Sequence, residues 1–346
     1  MLFRSASNSD LDAIYELAVQ SGVGMTTLPK NKALMKKRLS WSSQSYKKSV
    51  TTPENEYYLF VLEDLKKQKI VGTSALEAKT GYDSPFYSFK ISKRTRMCHT
   101  LNIRSEYEVL SLVNDNQGNS EMCTLFLNPE YRKNSNGLLL SKARFLFLAQ
   151  HPKRFASRVI AEMRGISDEN GQSPFWDNIG SHFFHMEFAE ADRLTLATNK
   201  QFIADLMPRN PIYIKLLSPE AQAVIGKPHD STVPAMNILL KEGFRFNNYV
   251  DIFDAGPTIE APLQEIRTVK SSRIMTIKNI SDEVSSSKYL LANTEIDFRA
   301  TIHFALINEE ENTCIISKKV ADLLKVKHGD SLRVAPLKLD VKPNFQ

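Results

Sequence analysis

The residues best placed to do chemistry in this chain stand at one turn. In "LNPEYRKNSNGLLLSKARFLF", residues 127–147, an apolar extended segment meets Pro129, two cations and a small-residue turn, and apolar positions then restart at helical intervals. The order is strand, turn, helix. The first amides of a helix lack partners within it and carry partial positive charge, so an anion can lie on the turn from Arg132 to Gly137, and phosphate is the first candidate. Arg132, Lys133, Ser135, Asn136 and Gly137 make up that turn. Ser141 and Lys142 follow one turn later, where they can assist a phosphate or simply face water. His229, in "GKPHDST", sits just past a helix C-terminus, where a histidine can equally be a partner for the helix dipole or a surface residue.

The elements around these residues follow from period and punctuation. "NSDLDAIYELAVQSG" reads as a helix capped by Ser9 and stopped by Gly22, and a second helix covers Lys32 to Tyr46. "YYLFVLED" and "KIVGTSALEAK" form an antiparallel hairpin; from Gly81 to Asn116 the clearest strand is "EYEVLSLVN". "SRVIAEMRG" is a strand containing Glu162, "SPFWDNIG" a short helix, and "HFFHMEF" a strand containing Glu187. "SPEAQAVIG" and "PAMNILLKEG" are helices, and "FRFNNYVDIFD" is a strand. Beyond "DAGPTIEAP" the texture becomes strand-rich, with His-Gly-Asp as a tight hairpin turn, which sets a domain boundary near residue 260.

At 346 residues, 42% apolar and 24% charged, the chain is an ordinary globular one of two regions. Its longest apolar run falls short of the roughly 20 residues a spanning helix needs, and the N-terminus lacks an export-type apolar stretch. No membrane association is expected, and the default location is cytoplasmic. A net charge of +6 suits a polyanion, and "PKNKALMKKRLSWSSQSYKK" contains no acid. That run has no base-stacking or DNA-reading signature, so a solvated helix face is the better reading and no nucleic acid is expected. Cys98, Cys123 and Cys314 are scattered and odd in number, which fits buried free thiols rather than a disulfide or zinc framework. His182 and His185, three apart in the expected strand, face opposite sides, so no metal is expected.

Helix, antiparallel strands, then a strand running through an arginine-bearing turn into a helix resembles the acyl-CoA N-acyltransferase (GNAT-like) fold. That resemblance implies an α+β protein with a mixed, mostly antiparallel sheet flanked by helices. Its phosphate turn reads Arg/Gln-x-x-Gly-x-Gly/Ala, matched here by Arg132, Ser135 and Gly137. Ser135 replaces a glycine, so if positive φ is needed there, a cost of order 1 kcal/mol and weaker CoA binding follow. A narrower set of blocks, "SGVGMTTLP", "EMCTLFLNPEYR", "NGLLLSKARF", "VIAEMRG", "SPFWDNIG", "FIADLMPRNPIY", "AQAVIGKPH", "KEGFR" and "IFDAGPTIE", resembles the bacterial arginine N-succinyltransferase family from residue 1 to about 260. The organisation implied is an acyltransferase region at 1–260, with a helical extension near 191–243, and a β-rich C-terminal domain at 261–346.

What this resemblance implies is succinyl transfer from succinyl-CoA to the α-amine of L-arginine, the first step of arginine breakdown by the succinyl route. Succinyl-CoA is then a co-substrate and no tightly bound cofactor is expected. His229, in "IGKPH", is the implied proton donor and Leu125 the implied CoA-side backbone contact. Amides at Leu125 to Leu127 can hold the oxyanion. Arg132, Lys133, Ser135, Asn136, Gly137 and Ser141 form the implied phosphate site, while Glu162 and Glu187 can meet the arginine guanidinium or satisfy internal partners. Only the α-amine is a plausible nucleophile, because a guanidinium stays protonated. Ornithine as acceptor, a non-catalytic CoA-binding protein, and a homo-oligomer or hetero-oligomer with a paralogous subunit stay open at this level.

Overall fold

A computed structural model describes residues 1–21, 27–168, 171–188, 190–191, 194, 201–281, 284 and 287–337. The expected helix stop at Gly22 lies outside the described residues. The chain begins with β1 (Leu2–Ser5), α1 (Leu11–Gln20) and α2 (Lys32–Lys47). The backbone N–H of Ser7 donates to Asp10 Oδ2 at 2.8 Å, so the lead-in to α1 is organised by Ser7 and Asp10 rather than by Ser9. In α2, Met35, Leu39, Ser42 and Ser45 are buried, whereas Lys36, Lys37 and Lys47 face solvent, the arrangement expected of a solvated basic helix.

β2 (Tyr57–Asp64) and β3 (Lys69–Glu77) form the expected hairpin. β4 (Ser88–Cys98) and β5 (Ile103–Val113) form a longer one, whose outer half is exposed and carries Cys98. Cys98 is therefore not a buried thiol; Cys123 and Cys314 are. After them come β6 (Ser120–Leu127), α3 (Asn136–Gln150) and β7 (Arg158–Glu162). The segment expected as strand "HFFHMEF" holds no strand: α4 (Pro174–Asn178) is followed by α5 (Gly180–Phe184), which takes in its first three residues, with His185 at φ 52° closing the helix. Ser173 caps α4 and Gly180 packs against the Trp176 ring, leaving room for a second helical turn where periodicity alone suggested an aromatic strand. His182 and His185 thus do not alternate across a sheet. Among the described residues no group of three His, Cys, Asp or Glu side chains converges to hold a metal ion.

Next are α6 (Gln201–Leu206), β8 (Ile212–Tyr213), α7 (Pro219–Val224), α8 (Val233–Lys241), β9 (Arg245–Val250), β10 (Pro257–Pro262) and α9 (Arg267–Ser271). The C-terminal part holds β11 (Arg273–Ile280), β12 (Ser287–Asn293), β13 (Arg299–Asn308), β14 (Thr313–Ile316), α10 (Lys318–Leu324) and β15 (Ser331–Pro336). His328–Asp330 joins α10 to β15 and is not a hairpin turn, because "KKVADLL" is helical behind the Ser317 cap. The strands run β12-β15-β11-β14-β13-β1-β2-β3-β6-β7-β10-β9-β4-β5-β8, with β6–β7 and β11–β14 the parallel pairs. Helix α3 touches β3 and β6 on one side and β12, β13 and β15 on the other, so Leu139 to Leu148 are buried all round. That explains why apolar residues occur all around it, with Ser141, Lys142 and Arg144 buried among them. No helix among the described residues is long and apolar enough to cross a membrane.

His151 ends α3 against the Phe147 ring, 4.8 Å between centroids, and burial pushes its imidazole down to about 4. A histidine whose folded value lies below its unfolded value of about 6.5 stabilises the fold above that pH, and the contribution is lost as pH falls toward 4, up to about 3 kcal/mol. Urea unfolding at pH 7.5 and 4.5 should show a steeper acid loss in the wild-type protein than in His151→Gln. Parallel losses in the two would mean that His151 carries none of the acid sensitivity.

Candidate active site

β6 and β7 pair over Ser120↔Val159 and Glu121↔Ile160 and then part. The gap opens into a cavity walled by Met122 to Leu125 on one strand and Glu162 to Arg164 beyond the other. On its opposite edge β6 pairs with β3, where the register passes from Ala75↔Cys123 to Thr73↔Phe126, leaving Thr124 and Leu125 opposite Ser74. This is a β-bulge, a device that re-aims backbone beside active sites. Thr124 has φ 57°, costly for a β-branched residue, and is held by Tyr57 Oη at 3.0 Å and by Thr27 Oγ1, which accepts from its backbone N–H at 3.2 Å. In sequence, a threonine in a strand gives no sign of this. Leu125 therefore sits on backbone that belongs to neither ladder, while the Leu127 carbonyl is taken by Arg132 Nε at 3.1 Å.

The phosphate-type turn has a corresponding shape. Asn134 and Ser135 both adopt left-handed backbone, φ 54° and 63°. Among the described residues the amides of Asn134, Ser135, Gly137 and Leu138 have no protein acceptor, and successive outward amides in this geometry make an anion nest. Gly137 is not needed for backbone strain or packing, since an added Cβ would meet only Leu127 Cδ2 at 3.9 Å. Its value lies in leaving the amide uncovered. Arg132 and Lys133 are exposed at the rim. Asn136 departs from expectation: its amide donates to Lys133 O at 3.0 Å and its side chain to Tyr131 O at 3.0 Å, so it holds the turn and keeps only its second Nδ2–H for another partner. Ser141 also departs, being buried with its hydroxyl accepting from Arg144 Nη2 at 3.4 Å, and Lys142 pairs with Glu242 at 3.0 Å. Neither faces water or the turn, because α3 is enclosed on both sides.

Ser135 thus occupies a position that glycine would fill without strain. Ser135→Gly should raise stability by up to about 1 kcal/mol and leave CoA affinity nearly unchanged, because the folded turn itself already holds Ser135 at φ 63°. Urea unfolding checks this, and an unchanged or lower midpoint would remove strain at Ser135 as a factor.

His229 is positioned by the ends of two distant motifs. In "AEMRG" and "DAGPT" the backbones meet: Gly165 N–H donates to Asp254 Oδ2 at 2.7 Å, Gly256 N–H to Asp254 Oδ1 at 2.8 Å, and Met163 N–H to Pro257 O at 3.0 Å. This clasp presents the Arg164 carbonyl, which accepts from His229 N–H at 2.8 Å. The His229 carbonyl in turn accepts from the amide and hydroxyl of Thr232, a residue of the cavity wall. His229 therefore stands at the rim rather than inside, and at the N-terminal end of the turn leading into α8 rather than capping a helix C-terminus. Its Nδ1 is engaged by Ser231, with Oγ at 2.8 Å and N at 3.1 Å, leaving Nε2 as the ring nitrogen free to exchange a proton. Burial and then the Arg164 charge lower its pKa below the usual histidine value, opposed by Asp230.

Glu162, at the tip of β7, lines this cavity and also a second one that opens beside it, with Glu77, Asp83 and Glu121 among its acids and Arg38 and Trp41 on its wall. The structure does not bring Glu187 there; it is exposed, and its charge, after burial, helps raise the pKa of Asp177. Thr27 joins Glu121 and Glu162 in both cavities.

The family model of the arginine N-succinyltransferase beta subunit matches residues 1–268, and that of the beta subunit's C-terminal domain matches 273–336. An arginine N-succinyltransferase of Yersinia enterocolitica is 44% identical over 340 residues, 97% of this chain and 98% of that protein. The arginine N-succinyltransferase subunit beta of Pseudomonas aeruginosa is 42% identical over 338 residues, with the same shares covered. The solved structure of arginine/ornithine succinyltransferase subunit AI from Pseudomonas aeruginosa superposes with a TM-score of 0.89 at 34% identity, covering 98% of this chain and 99% of that one.

Proposed function

Because the chain belongs to the arginine N-succinyltransferase family, we propose that it transfers succinyl from succinyl-CoA to the α-amine of L-arginine, giving N2-succinyl-L-arginine and CoA, the first step of arginine degradation by the succinyl route. It is an acyltransferase of the acyl-CoA N-acyltransferase fold. The observation that carries the reading is the parting of β6 from β7 beside a turn with uncovered amides, where two cavities share Thr27, Glu121 and Glu162. The CoA pyrophosphate lies on the amides of Asn134, Ser135, Gly137 and Leu138, flanked by Arg132 and Lys133. The thioester carbonyl reaches the Leu125 amide, which holds its oxygen as it becomes an oxyanion.

Arginine enters from the acid-lined cavity. Its permanently charged guanidinium is matched by carboxylates there, and Glu162 at the junction holds the acceptor near the thioester. The α-amine attacks the carbonyl carbon, the C–S bond breaks, and the proton shed by nitrogen travels through His229 Nε2 to sulfur. Succinyl-CoA is consumed as a co-substrate, so no resident cofactor is required. We assign the chemistry to residues 1–260 and to 261–346 the cover over α3, and place the protein in the cytoplasm. The beta-subunit name of the family favours assembly with a paralogous subunit. Ornithine is the second reading, favoured by the arginine/ornithine name of the Pseudomonas relative. Thiol release from succinyl-CoA in the presence of arginine, ornithine or lysine tests all of this: release stimulated most by arginine is expected, and no amine-dependent release would reject catalysis.

A further inference from the structure

Arg144 is a charge that the acyltransferase mechanism leaves unused. It lies on α3 at 1% exposure and yet contributes to the wall of the cavity between β6 and β7. Its contacts are carbonyls and a hydroxyl: Nε to Ser141 O at 3.2 Å, Nη1 to Ala75 O at 3.4 Å and to Cys123 O at 3.5 Å, and Nη2 to Ser141 Oγ at 3.4 Å. All are long, whereas a guanidinium with an ionised partner sits at about 2.7–2.9 Å. No carboxylate among the described residues makes an ion pair with it, and burial pushes its guanidinium down to about 10. The neighbouring Lys142 provides the contrast, since that buried ammonium is neutralised by Glu242 at 3.0 Å. Among the described residues an acid stands against one cation and none against the other. An arginine cannot shed its proton at neutral pH, and a buried cation without a counter-charge is costly.

Its place suggests which anion completes it. The Cys123 carbonyl that Nη1 reaches is two residues before Leu125, on the same wall of the same cavity. In a succinyl thioester the distal carboxyl carbon is three C–C bonds of about 1.5 Å each from the thioester carbon. We propose that the Arg144 guanidinium binds the distal carboxylate of the acyl group and selects a dicarboxylic acyl-CoA over a neutral one of equal length. This rests on the acyltransferase reading above. Arg144 is then a specificity residue and not a participant in proton transfer.

The test compares kcat/KM for succinyl-CoA and for butyryl-CoA, with arginine as acceptor, in wild type, Arg144→Lys and Arg144→Gln. A site built for a charged group rejects a neutral analogue strongly, so the wild type should favour succinyl-CoA by at least about 10²-fold. Arg144→Gln should lose about 10²-fold or more with succinyl-CoA but less than about fivefold with butyryl-CoA, and Arg144→Lys should fall between. Equal losses with both thioesters would overturn the proposal and leave acyl transfer standing; absence of succinyl transfer by the wild type would instead remove the reading beneath it. Should the variants fail to fold, a crystal structure of the wild type with the thioether analogue of succinyl-CoA decides. The carboxylate within hydrogen-bond distance of Arg144 supports the proposal, and the carboxylate elsewhere rejects it.

Discussion

His229→Ala should lower turnover by roughly 10² to 10⁴-fold and leave CoA affinity unchanged. The split follows from position: His229 stands at the cavity rim, tied by backbone to Arg164 and Thr232, and the phosphate turn is built without it. Its lowered pKa favours the neutral imidazole near pH 7, so in the proposed mechanism the proton it delivers to sulfur is one it would first take from the attacking amine. Wild-type kcat/KM should therefore fall as pH drops below about 6.5 and through the lowered value, and that limb should vanish in the variant. Single-turnover thiol release across pH, with CoA titrations alongside, checks both parts. Near-native turnover in His229→Ala would take His229 out of the mechanism.

Gly256→Ala should be among the most damaging single methyls at the described glycines. A Cβ there would lie 2.0 Å from Met163 O and 2.5 Å from Gly165 N, both backbone atoms. Neither can yield easily, because Met163 N–H is bonded to Pro257 O and Gly165 N–H to Asp254. Gly165 is equally constrained, with a Cβ placed 2.2 Å from Asp254 O. We expect Gly256→Ala to cost about 3 kcal/mol or more and to release the Arg164 carbonyl that anchors His229. Gly329→Ala is the control: it has φ 85° but open space, so its strain should cost only about 1 kcal/mol and spare activity. Equilibrium unfolding of the two variants gives the comparison, and equal stability losses would show that the clasp tolerates a side chain.

This clasp also marks what a linear reading can and cannot give. "AEMRG" and "DAGPT" stand out as specific stretches, and the family and fold implied by such blocks are the ones found. That the two stretches touch depends on β7 pairing with β10 across almost a hundred residues, which no local period encodes. The β2–β3 hairpin, α2 and the β6-turn-α3 unit were legible because apolar period and breaker residues agree there. β4 was not, since "SFKISKRTRMC" is an exposed arm whose charges hide its alternation. The His182–His185 segment misled for the opposite reason: aromatics favour strands in general, yet here they pack as short helices around Trp176. Within the site, the bulge at Thr124 and the burial of the Arg144 charge among carbonyls exist only once β3, β6 and α3 are assembled. Ser141 and Asn136, expected at the phosphate site, are found hydrogen-bonded to Arg144 and Tyr131 within the protein.

The most direct test of the central claim is a crystal structure of the protein with CoA. The account predicts the pyrophosphate on the amides of Asn134, Ser135, Gly137 and Leu138 and the pantetheine arm passing Leu125 in the gap between β6 and β7. A nucleotide bound elsewhere, with that turn bare, would contradict it.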